Sequence, residues 1–334
     1  MNNTAITFGP ISLTLKAFLK QHLYSFVFIL VDENTRKLCL PLLPKFEHQI
    51  IEIQAGEKYK TLETCQSIWM QLLAQKADRK ALIINLGGGV ICDMGGFAAS
   101  CYKRGLDFIH VPTTLLAMVD ATIGGKTGID LANEKNMIGL FSPAKAVFVD
   151  PKFLNTLAKR QLNSGKAEMI KHGLIASDMH LENVFESKVI SDALIQESIG
   201  IKQYIVQQDP LEQSMRKSLN FGHTFGHAIE SLALRNGEDI LHGEAVAFGM
   251  IYALKLSAKY TGLNVTSAKE NIKKIEAIFG SYPLNKEKLS QLIQLAKNDK
   301  KNEGDQINFT LISSIGKFEI NQALNEADLQ VLLK

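Results

Sequence analysis

Apolar residues in the first 150 positions fall in short runs bounded by polar residues or glycine. Residues 25–32 (SFVFILVD), 48–53 (HQIIEI), 81–86 (ALIINL), 107–114 (DFIHVPTT) and 144–150 (AKAVFVD) are rich in Val, Ile and Phe, which predicts buried strands. Between them the spacing turns helical. Residues 55–75 carry apolar residues near helical spacing through Leu62, Ile68, Trp69, Leu72 and Leu73, and residues 90–105 predict a helix of small residues after the turn Gly87-Gly88-Gly89. Strand–helix alternation predicts βαβ units and a mostly parallel sheet. From residue 151 the chain is periodic at helical spacing almost throughout. The exception is INFTLISSIGKFEI (residues 307–320), which predicts a short strand or hairpin. The expected fold is α/β, with an α/β domain over 1–150 and a mainly helical domain over 151–334.

Composition adds mainly exclusions. The chain is 46% hydrophobic and 21% charged, ordinary for a soluble protein, and a net charge of +3 gives no reason to expect nucleic acid. No apolar run approaches the ~20 residues that span a bilayer. The opening MNNTAITFGP has no basic segment leading into an apolar one, so no signal peptide is expected. Cys39, Cys65, Cys92 and Cys101 show no paired spacing, as reduced thiols of a cytoplasmic protein would.

Chemistry concentrates in LNFGHTFGHAI (residues 219–229). His223 and His227 are four apart and share a helix face, with Gly222 and Gly226 repeating the same step beside them. Each helical glycine costs roughly 1 kcal/mol relative to alanine, so close approach of a ligand or another backbone is expected there. His242 follows in LHGEAVAFGM. Together with Glu168 these residues offer a carboxylate and two or three imidazoles, the ligand types of an open catalytic zinc site. Glu168 and Lys171 are three apart, either as a surface ion pair or facing an interior cleft. Lys202, Arg216, Asn220 and Lys300 add groups suited to a substrate carrying carboxylate and phosphate. In the first domain, LGGGVICDMGG after a strand is a phosphate-cradle candidate, alone a weak one, and Asp32 closes another strand where it could meet ribose hydroxyls. The stretch 112–139 places Asp120, Lys126 and Lys135 among Gly, Thr and Asn, either as a long surface loop or as the lining of a site.

Taken together, GEKYKT (56–61), GGGVICDMGGFAASCYKRG (87–105), VPTTLLAMVDATIGGKTGID (111–130), KNMIG (135–139), SGKAEMIKHGLI (164–175), MRKSLNFGHTFGHAIE (215–230), HGEAVAFGM (242–250) and DKK (299–301) resemble, in order, the segments of 3-dehydroquinate synthases, a family of the sugar-phosphate cyclase group. The resemblance implies a Rossmann-like NAD-binding domain, a helical metal-binding domain, an active site in the cleft between them, and a homodimer. It implies Zn2+ or Co2+ held by Glu168, His223 and His242, with His227 moved from metal to substrate. For NAD the matching positions are Asp32, Glu57, Lys60, Gly88, Gly89, Val90, Asp93, Thr113, Thr114, Lys126, Lys135 and Thr156. For substrate and catalysis they are Arg104, Asp120, Lys126, Asn136, Lys171, Lys202, Arg216, Asn220, His227 and Lys300 (or its neighbour Lys301). In the family reaction NAD+ takes hydride from a hydroxyl-bearing carbon and phosphate is eliminated. The hydride is then returned, and an intramolecular aldol closes the ring. A sister cyclase, a glycerol-dehydrogenase-like alcohol dehydrogenase and a non-catalytic binding protein are the competing readings. Cys92, Asp130, Glu134, Pro143 and Lys166 depart from the family pattern without removing a matched ligand, and Glu134 beside Lys135 is expected to alter NAD affinity.

Overall fold

A computed structural model describes residues 4–132, 134–297 and 306–333. The chain forms two compact units, Met1–Leu162 and Asn163–Lys334.

The first unit contains β1 (Ala5–Phe8), β2 (Val27–Asp32), β3 (Gln49–Ile53), β4 (Leu82–Gly87), β5 (Asp107–Pro112), β6 (Lys126–Leu131), β7 (Glu134–Phe141) and β8 (Ala146–Val149). Six of these make one sheet in the order β1-β8-β5-β4-β2-β3, and every pairing in it is parallel. Phe28–Val31 in β2 and every residue of β4 are buried, which is why these strands read as continuous apolar runs rather than alternating ones. Four helices flank the strands: α1 (Ile11–Gln21), α2 (Glu33–Leu38), α3 (Leu62–Ala74) and α4 (Gly89–Cys101). The α4 helix lies close on the sheet because Gly95 has no side chain. A Cβ there would sit 2.0 Å from Oδ1 of Asn85.

Two features of this unit escape the apolar pattern. The first is β1 and α1, absent from the predicted elements. The second is the segment read as either a loop or a site lining. It begins with a π-helical turn at Ala117–Ala121 and continues as the antiparallel hairpin β6–β7.

A helix spanning Lys159–Ala176, α5, runs across the unit boundary. The second unit continues with α6 (Asp178–Glu186), α7 (Asp192–Gln208), α8 (His223–Asn236), α9 (His242–Tyr260), α10 (Val265–Phe279) and α11 (Lys286–Lys297). It ends with the antiparallel hairpin β9 (Ile307–Ser314) and β10 (Lys317–Leu324), then the short helix α12 (Glu326–Leu329). The hairpin covers the helices, with Phe309 packing edge-on against Phe225 of α8 at 5.3 Å between ring centroids.

Of the two glycines of LNFGHTFGHAI, only Gly226 lies within a helix. Gly222 is not helical at all; it caps α8 in the left-handed region at φ +80°. Gly222 and Gly226 face α9, not open space. A Cβ on Gly249 would lie 1.9 Å from the Gly222 carbonyl and 2.7 Å from the Gly226 nitrogen. Of the two approaches expected at these glycines, a ligand or another backbone, the structure shows the second, because the α9 backbone occupies the space.

Candidate active site

In the first unit the nucleotide-site candidates gather at the carboxyl ends of adjacent strands β2, β4 and β5, where open parallel sheets place ligands. Gly88 is the N-cap of α4, and Gly89 and Val90 begin the helix, where backbone N–H groups lack intrahelical partners. Thr113 and Thr114 follow β5 directly. The Thr113 N–H donates to the Gly87 carbonyl (2.9 Å), and a Cβ on Gly88 would reach within 3.1 Å of Thr114 Cγ2. Asp32 closes β2, and its Oδ1 accepts the N–H of Thr35 at 2.7 Å, so it also caps α2.

A second group lies around Lys60, which is 3% exposed. Its Nζ donates to Asp93 (2.7 Å) and to Asn136 Oδ1 (2.6 Å), while Lys135 pairs with Glu57 at 3.0 Å. Burial pushes the Asp93 carboxyl up, and the Lys60 charge opposes that shift. Asp130, a departure from the family pattern, ties the hairpin to this cluster. It accepts the Asn136 N–H at 2.8 Å, and its own N–H donates to the Lys60 carbonyl at 2.8 Å. Asn136, with φ +52°, thus joins the Lys60 group, although the resemblance assigns it to substrate. Arg104 is exposed with φ +68°, Asp120 is half-buried in the π-turn, and Lys126 is exposed at the start of β6. Thr156 is exposed in a 3-10 turn, its hydroxyl donating to the Phe153 carbonyl.

In the second unit three helices converge. Glu168 lies within α5 at 0% exposure, His223 opens α8 and His242 opens α9. The start of α9 is set against α5 by Gly243, whose N–H donates to Ser164 Oγ at 3.0 Å. A Cβ on Gly243 would stand 2.0 Å from the Ser164 carbonyl. Nε2 of His223 is 3.5 Å and Nε2 of His242 3.7 Å from Oε1 of Glu168. One ligand atom from each residue lies within 4.8 Å of the others. His227 falls in a different triple, with Glu230 and His242.

Hydrogen bonding fixes what these atoms present. Nδ1 of His223 faces the Phe221 carbonyl at 3.3 Å, and Nδ1 of His242 faces Glu230 Oε2 at 3.1 Å. A carbonyl and an ionised carboxylate only accept, so each Nδ1 carries a proton and each Nε2 faces Glu168; in the neutral ring that metal ligation requires, that Nε2 presents a lone pair. Three electron-rich atoms then face one another at separations too long for hydrogen bonds. Oε1 of Glu168 is buried and accepts no hydrogen bond among the described residues. Lys171 pairs with Oε2 of this carboxylate, but no described group donates to Oε1, the oxygen that both Nε2 atoms face, and a buried oxygen left without a donor is costly. One carboxylate and two imidazoles are the donor types of a catalytic zinc site with an open position, so this residue set fits a divalent ion.

Lys171 forms a close ion pair with Glu168, both fully buried, which rules out the surface reading of this pair. Lys202 and Arg216 are buried as well, at 7% and 2% exposure. Arg216 Nη1 donates to the Pro210 carbonyl at 2.6 Å, and its backbone N–H is one of three that converge on Asp209. Burial acts to raise the Asp209 carboxyl, but these backbone donors hold it below the ordinary carboxylate range. Asn220 donates to Glu212 at 2.7 Å, and Glu212 has φ +60°. Lys300 lies outside the described residues. Sequence reasoning missed Glu212 and Glu230. The available signal for Glu230 was its place seven residues after His223, on the same helical stripe.

Comparisons with known proteins agree along the chain. Profiles described as 3-dehydroquinate synthase N-terminal and C-terminal match residues 50–164 and 165–302. A Parabacteroides distasonis protein named 3-dehydroquinate synthase is 42% identical over 322 residues, covering 93% of this chain and 91% of its own. One of the same name from Helicobacter pylori is 43% identical over 317 residues, covering 92% and 91%. Among solved structures, the 2-epi-5-epi-valiolone synthase of Streptomyces hygroscopicus, with NAD+ and Zn2+ bound, matches at TM-score 0.87 and 24% identity, covering 100% of this chain and 96% of its own. A 2-deoxy-scyllo-inosose synthase complexed with carbaglucose-6-phosphate, NAD+ and Co2+ matches at TM-score 0.80 and 24% identity, covering 98% and 96%. At these identities the two solved structures share the fold.

Proposed function

We propose, on the premise that this chain belongs to the 3-dehydroquinate synthase family, that it converts 3-deoxy-D-arabino-heptulosonate 7-phosphate to 3-dehydroquinate and phosphate. As a carbon–oxygen lyase it uses NAD and a divalent ion, Zn2+ or Co2+, without consuming either, and it works as a cytoplasmic homodimer. The observation that carries the reading is the convergence of Glu168, His223 and His242 in a chain whose family match runs from residue 50 to 302.

NAD supplies a hydride acceptor whose hydride returns within the turnover, and the divalent ion supplies Lewis acidity at a substrate hydroxyl oxygen. Glu168, His223 and His242 hold the ion. The N–H groups opening α4 at Gly89 and Val90 would hold the cofactor pyrophosphate, and Asp32 would take its ribose hydroxyls. Glu57, Lys60, Asp93, Thr113, Thr114, Lys126, Lys135 and Thr156 complete the cofactor set. Lys171 balances the Glu168 charge and would keep an ammonium at the metal site. Lys202 and Arg216, rigid and buried, bind the substrate carboxylate; their burial strengthens the attraction relative to exposed cations. Lys126, Asn136, Asn220, His227 and Lys300 receive the phosphate end. Arg104 and Asp120 complete the substrate contacts that the resemblance implies.

The test is to mix the purified protein with NAD+, Zn2+ or Co2+ and the heptulosonate phosphate. Phosphate release without net NADH accumulation is expected. NADH accumulating with a simple polyol, or no phosphate release, would overturn the assignment.

A further inference from the structure

The face of α8 that carries His223 and His227 continues to a third polar group, Glu230, three residues after His227. It is 5% exposed. A carboxylate buried within a helix, away from the N-terminus, gains nothing from the helix dipole, so it needs a specific partner. Glu230 Oε2 lies 3.1 Å from Nδ1 of His242, an ordinary hydrogen-bond length, and Nε2 of the same ring faces Glu168. This hydrogen bond leaves Nε2 as the ring atom available to an ion. The Glu230–His242 contact is on this account a hydrogen bond that supports the first site and not part of a second metal site. The two imidazoles are also supported unequally: His223 donates to a neutral backbone carbonyl, whereas His242 donates to an anion. An anionic acceptor polarises the ring more strongly and makes its Nε2 the better donor to a cation.

We propose that Glu230 is a positioning residue: its hydrogen bond to His242 fixes the tautomer and orientation of that ring, and so sets the affinity for the divalent ion. The inference rests on the metal reading given under Proposed function. Removing a carboxylate of this kind typically weakens metal binding 10–100-fold.

The experiment titrates Co2+ into metal-free full-length protein, without NAD or substrate, and follows the visible absorption of the bound ion. Glu230→Gln is expected to weaken Co2+ binding by that factor and to alter the absorption bands. Glu230→Asp should recover part of the affinity, and the metal-free melting temperature of Glu230→Gln should stay near that of the wild type. Selective 15N-histidine labelling of wild-type protein loaded with Zn2+ gives a readout that needs no variant. It should show a protonated Nδ1 and a metal-shifted Nε2 on His242. Wild-type affinity and spectrum in Glu230→Gln, or a His242 ring bound through Nδ1, overturns the inference alone. A wild-type protein that binds no Co2+ overturns it together with the metal reading.

Discussion

Gly249→Ala tests whether the second unit is spaced as described. The new Cβ would lie 1.9 Å from the Gly222 carbonyl, 2.7 Å from the Gly226 nitrogen and 2.9 Å from the Gly222 carbonyl carbon, whereas ordinary contact begins at 3.4 Å. Relief requires α8 and α9 to separate by roughly 1.5 Å, because the groups in the way are backbone and cannot rotate aside. Alanine returns about 1 kcal/mol of helix propensity. Overpacking of this kind costs about 3 kcal/mol, the upper end of its usual range. The net loss of about 2 kcal/mol lowers the melting temperature by about 4–8 °C for a unit of this size. Gly200→Ala is the control. That position is exposed within α7 and a Cβ there meets nothing within 4 Å, so only the propensity gain of about 1 kcal/mol applies and the melting temperature should rise. Calorimetry on both metal-free variants reads the opposite signs. Co2+ titration adds a second readout, since α8 carries His223 and α9 carries His242, and ligand distances tolerate only about 0.2 Å. A Gly249→Ala protein that melts at or above the wild type and binds Co2+ normally would refute the close approach of these helices.

Other perturbations act on separate parts of the molecule. Burial holds the His110 pKa down at about 3 against an ordinary 6.5. The unfolded chain therefore binds a proton below pH 6.5 that the folded one refuses, and stability falls as pH drops from 6.5 toward 3. His110→Gln should remove about 2 kcal/mol of the loss seen between pH 7 and pH 5 in urea unfolding; a pH dependence equal to wild type counts against a buried neutral ring. Lys60→Met strands the Asp93 carboxylate and takes the donor from Asn136, which should cost about 3–5 kcal/mol. The double variant Lys60→Met with Asp93→Leu should recover most of that in the same urea experiment, and failure to recover would mean that Asp93 does not need the lysine. His242→Ala should abolish Co2+ binding and turnover while the metal-free protein keeps its far-UV circular dichroism. Undiminished turnover in the metal-stripped variant would remove His242 from the site.

Much of the first unit was legible because its strands are buried on both faces and so read as apolar runs. The five predicted segments correspond to β2, β3, β4, β5 and β8 of one parallel sheet. The strand β1 was not legible: it has only four residues, AITF, and none of them is buried. The hairpin β6–β7 was hidden for another reason. Its burial does not alternate, and β7 exposes Met137, Leu140 and Phe141, so neither a two-residue nor a helical period emerges. In the second unit the three residues of the candidate metal centre stood out by residue type and by resemblance. Glu230 did not, since a glutamate on a helix is ordinarily a solvated surface group. Its stripe with His223 was readable, but its role depends on α9 bringing His242 back over α8, a tertiary contact that the stripe alone does not reveal. The partners of Asn136 were equally hidden: a left-handed backbone and Asp130 direct its side chain to Lys60, which its motif does not show.

The glycines beside the histidines influence the site through distance. Helices with ordinary side chains between them pack about 8–10 Å apart. Here Gly222 and Gly226 of one segment meet Val246 and Gly249 of α9, and Gly243 at the start of α9 meets the Ser164 carbonyl of α5. Backbone sets the closest approach at Gly226, Gly243 and Gly249, while Gly222 also meets the Met250 side chain. A side-chain contact can adjust by changing rotamer, and a ligand held across it would drift. A backbone contact cannot, so the ends of α8 and α9 that bear His223 and His242 are fixed relative to Glu168. Imidazole and carboxylate side chains are short, and metal–ligand distances tolerate only tenths of an ångström. A centre built from three helices therefore needs this kind of spacing more than it needs open room around the ion. Each glycine within a helix gives up roughly 1 kcal/mol of propensity for it. The loss is concentrated where α8 and α9 cross because that crossing decides whether three ligand atoms can meet at one point.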